Sequence, residues 1–444
     1  MKVGVVGGGV LGLSLAYYLS RSGAKVTLFE GKDRAGGLLD YVQVDGFWID
    51  KYYHCILSNY VDLLDLVDEI GLRDRVRFTN TKQGVYADGN LYSLGSAKDF
   101  LLFPLLSPLE RVRLAISILR ALRVDDWHEL EEVGVEEWLV RLGGRGVFEK
   151  LWKPMLRAKF DGAHAQTPAT YIWSRLKRTS TTRASAGPQE RMGYFVGSYK
   201  QLVDRLVDRI EAAGSTVRLG AKVQEIAVSG DRVDGVVVDD AHVPLDTVVV
   251  TTPLPILQRL LPEPWRGRLD VPAETEYLGV VCGLLLLDRP LSSYYTLNIA
   301  DESIPFTAII ETTNLIAPEH VGGYHLAYLP KYVTPASPYA RLSDGELFGL
   351  YRTYLKKMFP NFDERWIKHQ FVFRERFVEP LHRVRTRRPV MPIRTQLGGL
   401  YVVNNGQIYP DLTSCQSGVR HAREALPILL AGTSATRREP ATVG

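Results

Sequence analysis

The feature that most narrows the fold sits at the start of the chain. A short apolar run, Lys2–Val6, leads directly into Gly7-Gly8-Gly9-Val10-Leu11-Gly12, and helical spacing follows over 10–22. A second apolar run over 24–30 ends on Glu30. Glycine at 7 permits a tight turn out of a strand. Glycine at 9 lets backbone approach a pyrophosphate, and glycine at 12 lets the helix pack close to the strand. Val10 and Leu11 open the first helical turn, where backbone N–H groups and the helix dipole meet an anion. A carboxylate at position 30 suits both hydroxyls of a ribose and repels a 2′-phosphate. The unit therefore reads as a βαβ site for a dinucleotide with a free 2′-OH.

A chain of 444 residues exceeds what one compact core holds, which predicts two joined domains. The net charge of +4 argues against bulk binding to nucleic acid, so any charge argument must be local. Cys55, Cys282 and Cys415 are odd in number and far apart. They offer neither a disulfide framework nor a metal-ligand set, which fits a reducing, cytoplasmic setting. The N-terminal apolar run turns at once into the glycines, so it reads as a strand and not as a signal peptide. No uncharged apolar run reaches the roughly 18 residues of a spanning helix.

Helical spacing recurs over 60–70, over most of 99–156 with breaks at Pro104 and Pro108, and over 198–213 with Gly214 as the stop. Short strands are expected over 76–94, with a turn at Asp88-Gly89, and again over 215–252. The polar stretch 177–193 reads as a loop crossing between domains. A second α/β stretch covers 275–390. A strand over 399–404 and a helix over 413–430 close the chain, ahead of a polar tail from Thr433.

Beyond Glu30-Gly31 comes Arg34-Ala35-Gly36-Gly37-Leu38. These paired glycines resemble the second motif of the FAD-linked amine oxidase, protoporphyrinogen oxidase and phytoene desaturase superfamily. The similarity continues in Gly46–His54 (GFWIDKYYH), in 133–160, at Val223, in Gly399–Asn405 (GLYVVNN) and in Thr413–Gly418 (TSCQSG). The resemblance implies a GR2-type flavoprotein with non-covalent FAD. In it Arg34, Gly36, Gly37 and Leu38 reach the pyrophosphate and flavin side, with Leu38 standing where arginine is frequent. Val223 would hold the adenine through its backbone. Asn405 takes the place of the usual acidic residue near the ribityl-phosphate, and Gly31, Thr252, Leu412 and Thr413 complete the cofactor set. The helix starting near Thr413 would aim its N-terminus at the flavin, where negative charge develops on reduction.

Within the segment that passes the flavin, His54 is matched in the related UDP-galactopyranose mutases, whose histidine lies by the flavin. It either exchanges a proton there or packs as a hydrogen-bonded core histidine. Tyr53 is the second catalytic candidate, with packing as its alternative. Arg374, Arg376, Arg383, Arg385, Arg387, Arg388 and Arg394, with His382, form a basic run before the closing motif. They read either as receptors for an anionic substrate or as a solvated edge paired with Glu375, Glu379 and others. Arg157, Arg383, Arg385 and Tyr328 are the substrate candidates, with Lys153, Lys159, Glu311 and Tyr324 as further cavity positions. No lysine can be assigned to hold a water at flavin N5, as many amine oxidases do. Cys415 lies inside the closing motif, unlike the covalent cysteine of monoamine oxidases. Apolar residues and Arg111, Arg113, Arg120 and Arg123 mix over 100–124, which reads either as a peripheral membrane contact or as a buried helix pair.

The expected fold is α/β: a Rossmann-like FAD-binding domain over 1–75, 195–270 and 395–444, interleaved with a mixed α+β substrate domain over 76–194 and 271–394. The expected function is FAD-dependent oxidation, by two-electron transfer, of an organic, anionic or lipid-linked substrate. A redox-neutral sugar mutase using the same flavin is the alternative, and a non-catalytic FAD-binding protein is a third reading. No metal and no nucleic-acid partner are expected, the setting is cytoplasmic with membrane association open, and the oligomeric state is unassigned.

Overall fold

In the computed structural model, residues 2–94, 99, 103–186, 191–269, 276–384 and 390–435 are described. The opening unit forms as the glycines predict. Strand β1 (Lys2–Val6), helix α1 (Val10–Arg21) and strand β2 (Lys25–Phe29) make one βαβ unit, and the two strands pair in parallel from Lys2↔Lys25 to Val6↔Phe29. Among the described residues, the parallel sheet runs in the order Thr216–Arg218, β2, β1, Thr247–Val250, Leu400–Val402. Strands from the start, middle and end of the chain therefore lie side by side, and their C-terminal ends share one edge.

One face of that sheet is covered by α1, whose residues Leu11 through Ser20 are all buried. Two further helices enclose α1. Helix Lys200–Ala212 buries Leu202, Val203, Leu206 and Ile210 at three- and four-residue spacing. The closing helix, Cys415–Ala435, meets α1 at Gly418, where a methyl group would lie 3.4 Å from Val10 Cγ1. Each fully buried leucine or isoleucine in this layer contributes roughly 1.5–3 kcal/mol by leaving water. The opposite face carries the antiparallel meander Val223–Ser229, Arg232–Val238 and Ala241–Pro244.

A second, mixed sheet orders Ile367–Pro380, Tyr277–Leu287, His325–Val333, Ala308–Glu311, Thr296–Ile299, Gln83–Ala87 and Asn90–Ser93. Its strand Tyr277–Leu287 is buried at every residue, as its unbroken apolar sequence requires. The turn at Asp88-Gly89 forms, with φ of 49° and 75°.

The stretch 177–193 departs from the expected loop. Helix Thr170–Ala186 runs through most of it, and strand Arg191–Phe195 begins beyond. The run carries no proline or glycine before Gly187-Pro188, so small polar residues continue the helix instead of ending it. The break expected at Pro108 is a helix start. Pro108 opens helix Pro108–Leu122, capped by Ser107, with Glu110 closing the reciprocal capping box.

Candidate functional site

The shared edge of the parallel sheet forms a cradle. A methyl group on Gly12 would lie 2.0 Å from Gly7 O, so helix and turn meet only because position 12 has no side chain. A methyl group on Gly9 would meet nothing within 4 Å. Gly9 is also the N-cap of α1, and no side chain caps it. An uncapped helix N-terminus opening onto free space is the arrangement that receives an anion. The second glycine pair closes over the first: Gly36 N–H donates to Gly8 O at 2.8 Å, and Gly9 and Gly36 form a parallel bridge.

Glu30 lies at the side of this cradle. Its carboxylate accepts the N–H groups of Gly8 at 2.7 Å and Lys32 at 2.9 Å. Ala221 N–H donates to Glu30 O at 2.8 Å, which brings the start of strand Val223–Ser229 alongside, and Lys222 packs against Gly31. Thr251 Oγ1 donates to Val6 O, and Thr252 O accepts from Asn404 Nδ2 at 3.0 Å. The buried Thr252 hydroxyl has no partner in the protein. Arg34 donates to Tyr41 O at 3.1 Å and lies near Asp33 and Asp40. Asn405 accepts from the Tyr277 hydroxyl at 3.3 Å.

The segment after strand Phe47–Asp50 runs past this cradle. His54 Nε2 is 2.9 Å from Leu38 O. A carbonyl only accepts, so Nε2 carries the proton and the histidine ties its own segment to the paired-glycine loop. Burial lowers the His54 pKa, so the ring is neutral and Nδ1 is left as an acceptor. Its ring rests edge-on against Tyr199 at 5.2 Å, and the Tyr199 N–H donates to Asp50 Oδ1 at 3.0 Å. Burial raises the Asp50 carboxyl to about 7. The Tyr53 hydroxyl lies 3.1 Å from that of Tyr332, and burial holds the Tyr53 phenol well above its usual range. Tyr328 donates to Asp50 O at 2.5 Å. Cys415, the first residue of the closing helix, has its thiol pushed up to about 12 by burial and by nearby Cys55, which leaves it inert.

A profile of the family described as flavin-containing amine oxidoreductase matches residues 12–424, nearly the whole chain. The chain belongs to that family. Its cofactor is FAD. The cradle fits this group: Gly9 leaves the space, α1 presents uncapped N–H groups, Glu30 offers a carboxylate, and Thr252 holds a hydroxyl in want of a partner. A 15-cis-phytoene desaturase of Glycine max is 25% identical over 387 residues, covering 81% of this chain and 66% of its own length. The chain thus spans about two thirds of the length of the curated relatives it matches. A protein assigned as a protoporphyrinogen oxidase from Exiguobacterium sp. 255-15 superposes with a TM-score of 0.74 at 21% identity, covering 97% of this chain and 99% of that one. Reduced UDP-galactopyranose mutase superposes with a TM-score of 0.70 at 15% identity, covering 98% and 97%. At these identities the two superpositions speak for the fold, an α/β FAD-binding layer with a mixed second sheet.

In this flavin-containing family member a small pocket of about 30 Å³ adjoins the closing motif. Its lining joins Phe160, Tyr171, Glu379, His382 and Tyr409 to Leu412 and Thr413. Lys159, next to Phe160, reaches Glu379 Oε2 at 2.5 Å and lies 3.4 Å from the centre of the Tyr332 ring. Tyr332 in turn contacts Tyr53, so a continuous set of side chains links pocket and flavin-passing segment. Sequence reasoning named Lys159 only as a cavity position and missed Phe160, Tyr171, Tyr332 and Tyr409. It also gave Glu379 to the arginines, whereas Glu379 pairs with Lys159 and Glu375 with Lys32.

The arginines lie elsewhere. Arg157 pairs with Glu302 at 3.0 Å, Arg374 with Asp344 at 2.6 Å and Arg383 with Glu276 at 2.6 Å, all with substantial solvent exposure. None of them lines the pocket. These positions favour the solvated-edge alternative. Arg385, Arg387 and Arg388 lie outside the described residues. Lys153 pairs with Glu149 on the surface, and Tyr324 with Asp45 and His369. Glu311 is buried away from the pocket, accepting from Leu291 N–H and the Ser292 hydroxyl.

Helix Pro108–Leu122 turns Leu114, Ser117 and Ala121 inward, and Gly143 of the neighbouring helix packs on Ser117. Its other face exposes Leu109, Val112, Ile116 and Leu119 to 59%, 53%, 42% and 56%. The buried helix-pair reading therefore holds for one face only. No helix among the described residues is long and apolar enough to cross a membrane.

Proposed function

We propose that this protein oxidises an organic substrate in the pocket beside Leu412 and Thr413, passing two electrons to non-covalently held FAD. The observation that carries the proposal is the lining itself: residues of the mixed sheet and its helices, Phe160, Tyr171, Glu379 and His382, face the start of the closing flavin motif across one cavity. FAD, when bound, supplies the two-electron acceptor. Gly9, Val10 and Leu11 would hold its pyrophosphate, Glu30 its ribose and the Val223 backbone its adenine, with Gly7, Gly12, Gly31, Arg34, Gly36, Gly37, Leu38, Thr252, Asn405, Leu412 and Thr413 completing the site.

The chain's own residues orient the substrate and exclude water. Aromatic walls pack against its body, and His54 fixes the paired-glycine loop through Leu38 O. With Nε2 donating to Leu38 O, His54 keeps Nδ1 as an acceptor and is the candidate for taking up a proton released on oxidation. The sugar-mutase alternative leaned on His54 together with the arginine run. Within that run Arg374 and Arg383 are engaged with Asp344 and Glu276, which weakens the second support, while Arg385, Arg387 and Arg388 lie outside the described residues.

A lipid-linked substrate is favoured by the exposed stripe on helix Pro108–Leu122, whose face also carries exposed Arg113, Arg120 and Arg123. Apolar residues flanked by arginine suit docking on an anionic bilayer. The deciding experiment is an anaerobic screen of metabolites that follows the oxidised flavin band, repeated with dithionite-reduced protein. Bleaching by a substrate supports oxidation. Turnover only by the reduced protein supports the mutase, and a gently purified protein without flavin defeats both.

A further inference from the structure

The direction in which His54 points is set by residues far from it in the chain. Leu38 O takes the Nε2 proton at 2.9 Å. The Tyr199 ring lies against the imidazole at 5.2 Å, inclined by 62°. Tyr199 also packs on the Phe195 ring at 5.0 Å and is only 1% exposed, so close packing keeps it from swinging aside.

Tyr199 follows an unusual turn. Gly197 and Ser198 have φ of 84° and 72°, two consecutive residues in the left-handed region. Glycine adopts that region freely, whereas serine is strained there and stays only where its surroundings hold it. Tyr199 is the N-cap of helix Lys200–Ala212, and its own side chain does not cap the end. Asp50 supplies what turn and helix lack. Its Oδ1 accepts the Tyr199 N–H at 3.0 Å, and the Ser198 hydroxyl hydrogen-bonds to the same carboxyl. The Ser198 oxygen in turn accepts the Lys200 N–H at 3.0 Å. A carboxyl from another part of the chain thus stands at a helix N-terminus, where backbone N–H groups lack partners and negative charge is favoured. Asp50 is itself anchored, because its carbonyl oxygen takes the Tyr328 hydroxyl at 2.5 Å.

We propose that Asp50 is the positioning residue for His54: it holds the strained Gly197-Ser198 turn, the turn seats the Tyr199 ring, and that ring with Leu38 O sets the direction of His54 Nδ1. The proposal rests on the reading that His54 takes up the proton released on oxidation. Asp50 acts through Tyr199. The titratable groups that face its carboxyl are Tyr199 from the helix start, Tyr328 from the mixed sheet and Cys415 from the closing helix, and burial keeps all three protonated near pH 7. In these neutral surroundings burial raises the Asp50 carboxyl to about 7. A carboxylate accepts an N–H more strongly than a carboxylic acid does. As pH rises through about 7, Asp50 therefore tightens on the Tyr199 N–H and shifts the ring against His54. His54 stays neutral over that range, because burial lowers its own pKa.

Histidine labelled with 13C at the imidazole Cε1 reports this by NMR in the purified full chain, with flavin content read separately from its absorbance. The His54 resonance is assigned by its loss in His54→Gln. In the parent it should move with pH in a step centred near 7. The step should vanish in Asp50→Asn, which keeps an oxygen for the Tyr199 N–H and does not titrate. Tyr199→Leu should displace the resonance at every pH and also remove the step. The resonances of His242 and His369, which lie in surface ion pairs, should be the same in parent and variants and so report an intact fold. A step that persists in folded Asp50→Asn or in Tyr199→Leu overturns the proposal, as does a parent resonance without a step between pH 6.5 and 8.5. Tyr199→Leu decides on its own should Asp50→Asn not fold. These outcomes stand apart from the oxidation reading, which fails only if the protein carries no flavin or no compound reduces it.

Discussion

Glu30 and Gly8 meet at the mouth of the glycine turn, the carboxylate accepting the Gly8 N–H at 2.7 Å while its other oxygen takes the Lys32 N–H at 2.9 Å. The carboxylate is thereby fixed where a ribose would present its hydroxyls. Hydrogen bonds to a charged group are worth roughly 1.5–3 kcal/mol, so Glu30→Ala should weaken FAD binding on the order of ten- to a hundredfold. Titrating FAD into flavin-stripped protein measures this. An unchanged Kd rules out the ribose role.

Gly9 and Gly12 sit three residues apart yet should fail in different ways. A methyl group at 12 would press on Gly7 O at 2.0 Å, so Gly12→Ala should lower the thermal midpoint, in line with the roughly 1–3 kcal/mol of an overpacked contact. A methyl group at 9 meets no protein atom, so Gly9→Ala should leave the flavin-free protein as stable as the parent and lose FAD affinity at least tenfold. Melting curves with and without FAD distinguish the two. A destabilised flavin-free Gly9→Ala protein would sink the cofactor-space reading.

That contrast also marks what was legible in the sequence. Gly7 to Gly12 and Glu30 are local: strand, turn and helix follow one another within thirty residues, and the open space at Gly9 and the close approach at Gly12 follow from backbone geometry alone. The pocket is not local. Lys159 sits near the end of helix Lys153–Phe160 and Glu379 near the end of the edge strand Ile367–Pro380, and only the folded packing joins them. Nothing near either residue in the chain announces a buried partner, and the arginines from Arg374 to Arg383 drew attention to the solvated side of the same region. Polarity likewise misled over 177–193, where small polar residues continued a helix.

Glu311 should leave a signature in the pH dependence of stability. It is buried, and burial raises its carboxyl to about 7. Between about pH 4.5 and 7 the folded chain keeps a proton that the unfolded chain releases. Its contribution is therefore full below pH 4.5 and is lost as pH rises toward 7, by roughly 3 kcal/mol at 1.36 kcal/mol per unit. Glu311→Gln keeps an acceptor for Leu291 N–H and cannot ionise. Urea melts across this window should show the stability difference between parent and variant shrinking with rising pH. A constant difference means that Glu311 does not titrate.

Helix Pro108–Leu122 divides its apolar residues between two duties. Leu114 and Ala121 are packed against the protein, while Leu109, Val112, Ile116 and Leu119 face water at spacings that align them on one side. Four exposed aliphatic side chains in one stripe cost solubility and add nothing to the core, so they are explained by a surface they cover. Arg113, Arg120 and Arg123 border the stripe and suit a negative surface. Changing the four apolar residues to serine should leave the melting temperature within about 2 °C, since each contributes little burial. The same variant should lose cosedimentation with vesicles of phosphatidylcholine and phosphatidylserine. Parent protein should bind those vesicles more weakly as salt rises, and should bind phosphatidylcholine alone least, because the arginine contribution is screened or absent. Equal recovery of parent and variant in the supernatant would remove the bilayer as the partner of this face, and a shift of the parent to a dimer that the variant lacks would assign the stripe to a second copy of the chain.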